Sequence, residues 1–445
     1  MLRIYTGWRI LFAMTVAALT AFGAGTYAFA LFLKPLEDEF GWSRAVVSGS
    51  ISAFWLSAPL IFLIGRGTER FGARRLMLAG TVVEATSLLL ISRVVNVWQF
   101  YLLRFAMGAG MLLIATSMPI VVCRWFERWR GLAMSIVFAG FQLGGVVVAP
   151  LAQALIERLG WRATAMTLGA CMLVVNLPVL AAFMTDRRPE ELGLRLDGGT
   201  IDPGTTPRAA VEPLLQRAGT GNERIATASF CSILALSAIF YCTESSLLLH
   251  QAAFVTDAGI SPQIAADALG LTAATYILGA LIAGLWTDRA PARQSIVVIF
   301  VLQAVAVLVL AALEYVANVW ILGVYVAIAG LANGAADIVF VITLRRWFGA
   351  SAYDRAYTIW YFVTYVTFAL APMLAGYLYD VTGHYTAVFG LALTGTIVAQ
   401  VLWWLTPGRS GPVSAVAGRH PSNAAPADRS SRRVPAAPRS RPGCD

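Results

Sequence analysis

Twelve apolar stretches, each close to the roughly 20 residues a helix needs to cross a hydrocarbon core, fill most of residues 8–406 and constrain the fold more than any other feature. They fall at 8–33, 44–64, 75–92, 97–122, 130–156, 163–185, 225–256, 264–287, 294–314, 318–343, 354–379 and 384–406. A chain of 445 residues that is 58% hydrophobic and 13% charged carries more apolar surface than a water-soluble core could bury. Lipid must be part of its solvent. The first stretch is too long for a signal-peptide core and has no small-residue cleavage site after it, so it is expected to stay as the first span.

Residues offset by 222 positions match at separated places, which a general apolar likeness would not produce. Asn96-Val97-Trp98 recurs as Asn318-Val319-Trp320, Arg124-Trp125-Phe126 as Arg346-Trp347-Phe348, Gly108 as Gly330, and Ala149-Pro150 as Ala371-Pro372. At an offset of 219, Gly65-x-x-x-Glu69-Arg70 returns as Gly284-x-x-x-Asp288-Arg289. The repeated unit holds six spans, so both copies start from the same side, and a solute site is expected between them near the midplane. The expected organisation is a six-helix bundle over 1–185, a cytoplasmic linker over 186–224, a second bundle over 225–406, and a disordered, Pro- and Arg-rich cytoplasmic tail over 407–445.

The net charge of +9 follows membrane topology rather than nucleic-acid binding, because the basic residues lie between apolar runs and in the tail instead of on one folded face. With the N-terminus inside, the short inner loops hold twelve arginines, while the outer loops hold only Lys34, Arg44, Arg93, Arg158 and Arg162. Both termini are therefore expected in the cytoplasm of a bacterial inner membrane. Cys123, Cys171, Cys231, Cys242 and Cys444 have no paired spacing and read as small buried apolar fillers. No nucleotide loop, metal-ligand cluster or nucleophile–base spacing stands out, so neither an enzyme nor a cofactor is expected.

The segment Gly65, Glu69, Arg70, Gly72, Arg74, Arg75 resembles the inner-loop signature of the major facilitator superfamily, with Glu where Asp is usual. The resemblance implies twelve transmembrane helices in two six-helix bundles. It also implies that Gly65, Glu69, Arg70, Gly72 and Arg74, with Asp288 and Arg289 in the second half, form an inner-gate latch; simple positive-inside anchoring is the other reading. Phe40-Gly41-Trp42-Ser43-Arg44, Trp125-Phe126, Arg130-Gly131-Leu132-Ala133 and Gly160-Trp161-Arg162 are similar to the monocarboxylate and oxalate/formate porter branch. The chain departs from that branch at Tyr276 and Ala280, where an acid and an arginine are common, and in an eleventh span without a buried lysine.

In the superfamily the first, fourth, seventh and tenth helices line the cavity. Arg104, with Gly108 and Gly110, resembles a fourth-helix motif associated with proton coupling; it either attracts an anion or snorkels to helix-end carbonyls. Glu244 shares a helical face with Tyr241, Leu248 and Gln251 and is the preferred proton-carrying carboxylate. His250 lies on a different face and reads as loop-facing or satisfied. Asn333 and Asp337 share a face of the tenth helix, where Asp337 either meets the solute or pairs with Arg345. Tyr27, Gln142, Tyr276, Tyr361 and Tyr365 offer uncharged hydroxyls and amides for orienting a small polar solute. Glu84, buried in the third span, has no assigned role.

The functional expectation is a monomeric, proton-coupled secondary transporter for a small organic acid, working by alternating access. Efflux of an apolar or cationic compound is the alternative, and a non-transporting sensor a third reading. The expected partners are the solute, protons and the bilayer, without nucleic acid.

Overall fold

The computed structural model describes residues 5–406 apart from 61–63, 65–69, 128, 193, 195, 199–226 and 288–289. Inside hydrocarbon each backbone N–H and C=O must bond within its own segment, and the described residues are accordingly helical, with no strand among them. We number the membrane helices α1 (Thr6–Leu31), α2 (Arg44–Trp55), α3 (Ala73–Ile91), α4 (Val97–Trp125), α5 and α6 (130–159 and 161–183), α7 (Thr227–Asp257), α8 (Pro262–Thr287), α9 (Ala292–Ala312), α10 (Val319–Phe348), α11 (Ile359–Thr382) and α12 (Thr386–Leu405). A short helix, Leu33–Phe40, joins α1 to α2.

The α5–α6 run, Arg130–Phe183, would be about 80 Å long at 1.5 Å per residue, far beyond one bilayer crossing. It is broken at Gly160, whose φ of 78° an L side chain rarely adopts. Most sequence-predicted spans hold to within a few residues. The second does not: the expected 44–64 helix ends at Trp55 and gives way to a 3-10 turn at Ala58–Leu60. Within α1, Gly23–Tyr27 form a π-helical turn, a wide ring that leaves backbone carbonyls available to side chains.

The internal repeat has physical causes. Asn96 and Asn318 cap α4 and α10, each accepting from the first turn, Gln99 N–H at 2.9 Å and Trp320 N–H at 2.8 Å. Trp98 and Trp320 follow, 77% and 85% exposed, as interfacial anchors. Gly108 lets α4 lie against the Phe54 carbonyl of α2, and Gly330 lets α10 lie against Thr272 and Thr275 of α8. Each six-helix bundle therefore makes the same close approach at the same place.

The halves meet through α2 with α11 and α5 with α8. The buried apolar cluster of the first half continues into the second at the end of the bundles farthest from α1's start, through Phe254, Leu269, Leu313, Tyr325 and Phe389. The rest of the second half has a core of its own around Phe240, Phe300, Phe340 and Trp403. We call the shared end distal. The cysteines depart from expectation: Cys123, Cys171 and Cys231 are exposed on helix surfaces and Cys242 is half-buried. In lipid an outward thiol meets apolar solvent, so burial is not required of it. Cys444 and the tail lie outside the described residues.

Candidate functional site

Asp337 is the hub. Tyr241 of α7 donates to its Oδ1 at 2.5 Å and Tyr276 of α8 donates to its Oδ2. Three helices converge because Gly334, one turn before Asp337, leaves room for the Tyr276 carbonyl where a Cβ would sit. The sequence left pairing with Arg345 open; Arg345 is exposed, and Asp337 has the two tyrosines instead. Glu244 stands within electrostatic range of Asp337 and, across the boundary between halves, of Tyr27. It is half-buried, and its Oε2 has no hydrogen-bond partner among the described residues.

Tyr27 donates to Gln142 Oε1 at 2.5 Å, tying α1 to α5. Tyr365 donates to the Tyr361 hydroxyl at 2.6 Å, and Tyr361 lies within electrostatic range of Asp337. Tyr365 also packs on Trp55 of the first half, ring centroids 5.0 Å apart. The structure thus gathers Tyr27, Gln142, Glu244, Tyr276, Asp337, Tyr361 and Tyr365. Asn333, one turn from Asp337, is half-buried. A small, partly open pocket lies nearby, lined by Thr26, Trp55, Ser245, Leu248 and Phe368 among others. Thr26 Oγ1 has no partner among the described residues.

Arg104 is placed elsewhere. It is fully buried inside the first bundle, donating to the Gly25 carbonyl at 3.0 Å in the π-helical turn, with its guanidinium 3.6 Å from the Phe29 ring centroid. Its charge partner is Glu84, equally buried and within electrostatic range; neither Glu84 oxygen has a hydrogen-bond partner among the described residues. Glu84 has no assigned role in the sequence reading because α3 and α4 offer no local signal of this meeting.

Of the inner-loop residues, Gly65, Glu69, Asp288 and Arg289 lie outside the described residues. Arg70 is exposed, 5.4 Å from the Phe71 ring centroid. Gly72 has φ 87°, and the Asp186 carboxylate occupies the space its Cβ would fill. Arg74 N–H donates to Asp186 at 2.9 Å and its guanidinium to the Ala181 carbonyl at 2.7 Å, so this corner of α3 is fastened to the end of α6 within its own half. Arg346 similarly donates to the Ala290 and Thr287 carbonyls beyond and at the end of α8.

Two branch-like signatures form one clasp on the distal side. Trp161 and Arg162 donate to Glu39 at 2.6 Å each, Arg162 also reaches the Ser92 carbonyl at 2.6 Å, and Phe40 stacks on Trp42 at 4.3 Å. The Arg162 hydrogen bond holds the Glu39 carboxyl below the usual carboxylate range, with Trp161 adding to it. These residues fasten the short helix to the α5–α6 break rather than facing the cluster.

Sequence reasoning missed the network joining the halves at the distal end. Asp380 of α11 accepts from the backbone N–H groups of Arg44 and Ala45, at 3.0 and 2.9 Å, and so caps α2 from the other half. The Arg44 side chain spends all three nitrogens: on Glu37 at 2.9 Å, on Asp257 at 2.7 Å and on the Tyr385 hydroxyl at 2.7 Å. Lys34 adds a second bond to Asp257, 2.5 Å long.

The family model of the Major Facilitator Superfamily matches residues 13–252 and 225–439. The chain is 26% identical over 347 residues to human monocarboxylate transporter 12, covering 73% of this chain but 66% of that protein, just short of two thirds. It is 29% identical over 157 residues to a Bacillus subtilis MFS-type transporter, YcxA, 38% of which is covered. With zebrafish monocarboxylate transporter 12-B it shares 25% identity over 421 residues, 89% of this chain and 86% of the other. A crystal structure of a bacterial homolog of the human lysosomal transporter Spinster, inward-facing and occupied, has the same fold, with a TM-score of 0.66 at 14% identity over 89% of this chain and 96% of that one. Two repeated six-helix bundles with a polar cluster between them, matched by the family model over most of the chain, identify this protein as a multi-pass membrane protein belonging to the major facilitator superfamily.

Proposed function

We propose that the protein is a secondary active transporter that moves a small, monocarboxylate-like organic acid across the bacterial inner membrane by alternating access, coupled to protons, with both termini in the cytoplasm. The observation that carries the reading is Glu244, an acid with an unpartnered oxygen that faces Asp337 in its own half and Tyr27 in the other. A charge at membrane depth costs about 2.5–3.5 kcal/mol on insertion scales, and the ion pairs among the described residues leave both acids without a cation. Two ionised carboxylates repel an anionic solute, and a proton on Glu244 removes one of the two charges and so weakens that repulsion. Solute and proton then bind together, and the tyrosine hydroxyls orient the carboxylate. The monocarboxylate transporters among the relatives support the substrate class.

One observation favours the alternative, efflux of a cationic compound in exchange for protons: Arg104 is committed to Gly25, so the acids dominate the cluster. Proteoliposomes separate the two. Labelled lactate or pyruvate accumulating under an inward proton gradient supports the acid porter. Absence of flux for every short-chain acid tried, together with proton-driven exchange of a lipophilic cation, replaces it with the antiporter.

A further inference from the structure

His250 lies in the distal network, 2% exposed, and its hydrogen bonds fix its proton. Its Nε2 is 3.0 Å from the Pro372 carbonyl, which can only accept, so Nε2 carries the hydrogen; Ser48 Oγ lies 3.2 Å from the same atom. Its Nδ1 is 2.9 Å from the Tyr385 hydroxyl. That oxygen already accepts from Arg44, which leaves its own O–H to donate to Nδ1. One relay therefore runs Arg44 N–H to Tyr385 O–H to His250 Nδ1, with Nε2–H closing onto α11. It needs a neutral ring.

We propose that His250 is a proton-binding site of its own, distinct from the Glu244–Asp337 cluster, and that protonation there releases the distal contact between the halves. An imidazolium has two donors and no acceptor. A hydrogen on Nδ1 would turn Tyr385 into an acceptor for both His250 and Arg44 and deprive its buried O–H of the acceptor it has. It would also set a cation beside the Arg44 guanidinium. The strain falls on contacts that span the halves: Ser48 and Arg44 belong to the first, His250, Pro372 and Tyr385 to the second. The charged and titratable groups facing this locus are Arg44 on α2, Asp380 and Tyr379 on α11, Tyr385 before α12, Lys34 and Glu37 on the short helix, and Asp257 at the end of α7. Burial pushes the Glu37 carboxyl up, with Arg44 partly offsetting it, so Glu37 is the competing proton acceptor that a test must separate. The inference rests on the transport reading only in calling this end a gate that opens.

The test is a spin-label distance between Leu159 and Val316, both exposed, one in each half on the distal side, in the full chain with its native cysteines replaced, in nanodiscs without solute. Lowering the pH from 8 to 5 should convert a short-distance population into a longer one, the ratio changing by up to about tenfold per pH unit, the limit for one proton. His250→Gln keeps a donor and an acceptor without ionising, and should stay short throughout. Tyr385→Phe should show the long population already at pH 8 with little further response. Glu37→Gln should keep the shift. A pH-independent wild type, a His250→Gln protein that still responds, a Tyr385→Phe protein that behaves as wild type, or loss of the response in Glu37→Gln would each overturn the proposal. No solute or gradient is used, so a negative result leaves the uptake assay standing, and absence of acid uptake leaves this site standing.

Discussion

Tyr276 reaches Asp337 because α8 and α10 touch at Gly334: the hydroxyl of one helix meets the carboxylate of the other where no side chain keeps the backbones apart. A glycine one helical turn from an acid thus sets the geometry of the cluster.

Replacing that glycine tests the relationship. Gly334→Ala puts a methyl group onto the Tyr276 carbonyl, and overpacking of this kind typically costs about 1–3 kcal/mol. Thermal unfolding in detergent should show a lowered midpoint, and solute transport should fall with it. A midpoint equal to wild type would mean that the helices separate freely and that the close approach does not set the geometry.

The Glu84–Arg104 pair predicts strong non-additivity. Removing one partner leaves a buried ionisable group without its counterpart, whereas removing both leaves none. Arg104→Leu should therefore destabilise more than Arg104→Leu combined with Glu84→Leu, as read from thermal midpoints of the purified proteins. Additive losses would show that the two charges are not coupled.

The Glu39 clasp carries a defined pH dependence. Its carboxyl is held low in the folded protein, so its stabilising contribution is fully present above the ordinary Glu value of about 4.3 and is lost as the pH falls through the lower, folded value. The groups are substantially exposed and screened, so the effect is small. Melting curves between pH 6 and pH 3 should converge for wild type and Glu39→Gln as the pH drops. A difference that widens toward acid would contradict the assignment.

Much of this architecture is legible in the chain itself. Apolar runs of membrane length must become helices, and the 222-residue repeat encodes two Asn caps, two interfacial Trp residues and two Gly contacts that serve the same purpose in each half. Glu244 and Asp337 stand out because an acid in an apolar run is expensive. What stayed hidden are partnerships over long sequence distance. Arg44 reads as one more loop arginine until α11 brings Asp380 to it, 336 positions away. His250 falls off the Glu244 face, as the helical spacing requires, but nothing local announces Tyr385, 135 residues on. Arg104 reads either as an anion-attracting cavity residue or as an arginine tied to helix-end carbonyls; the carbonyl it meets is not at a helix end but in the π-helical turn at Gly25, inside the first bundle.

We propose Glu244 as the carrier of the proton that travels with the solute. The most direct test is simultaneous recording of acid uptake and external pH in proteoliposomes containing wild type or Glu244→Gln. Wild type should alkalinise the medium as it takes up acid and should accumulate it under a proton gradient. Glu244→Gln should still exchange acid across the membrane but should neither accumulate it nor move protons. Gradient-driven accumulation by Glu244→Gln equal to wild type would rule Glu244 out as the proton carrier.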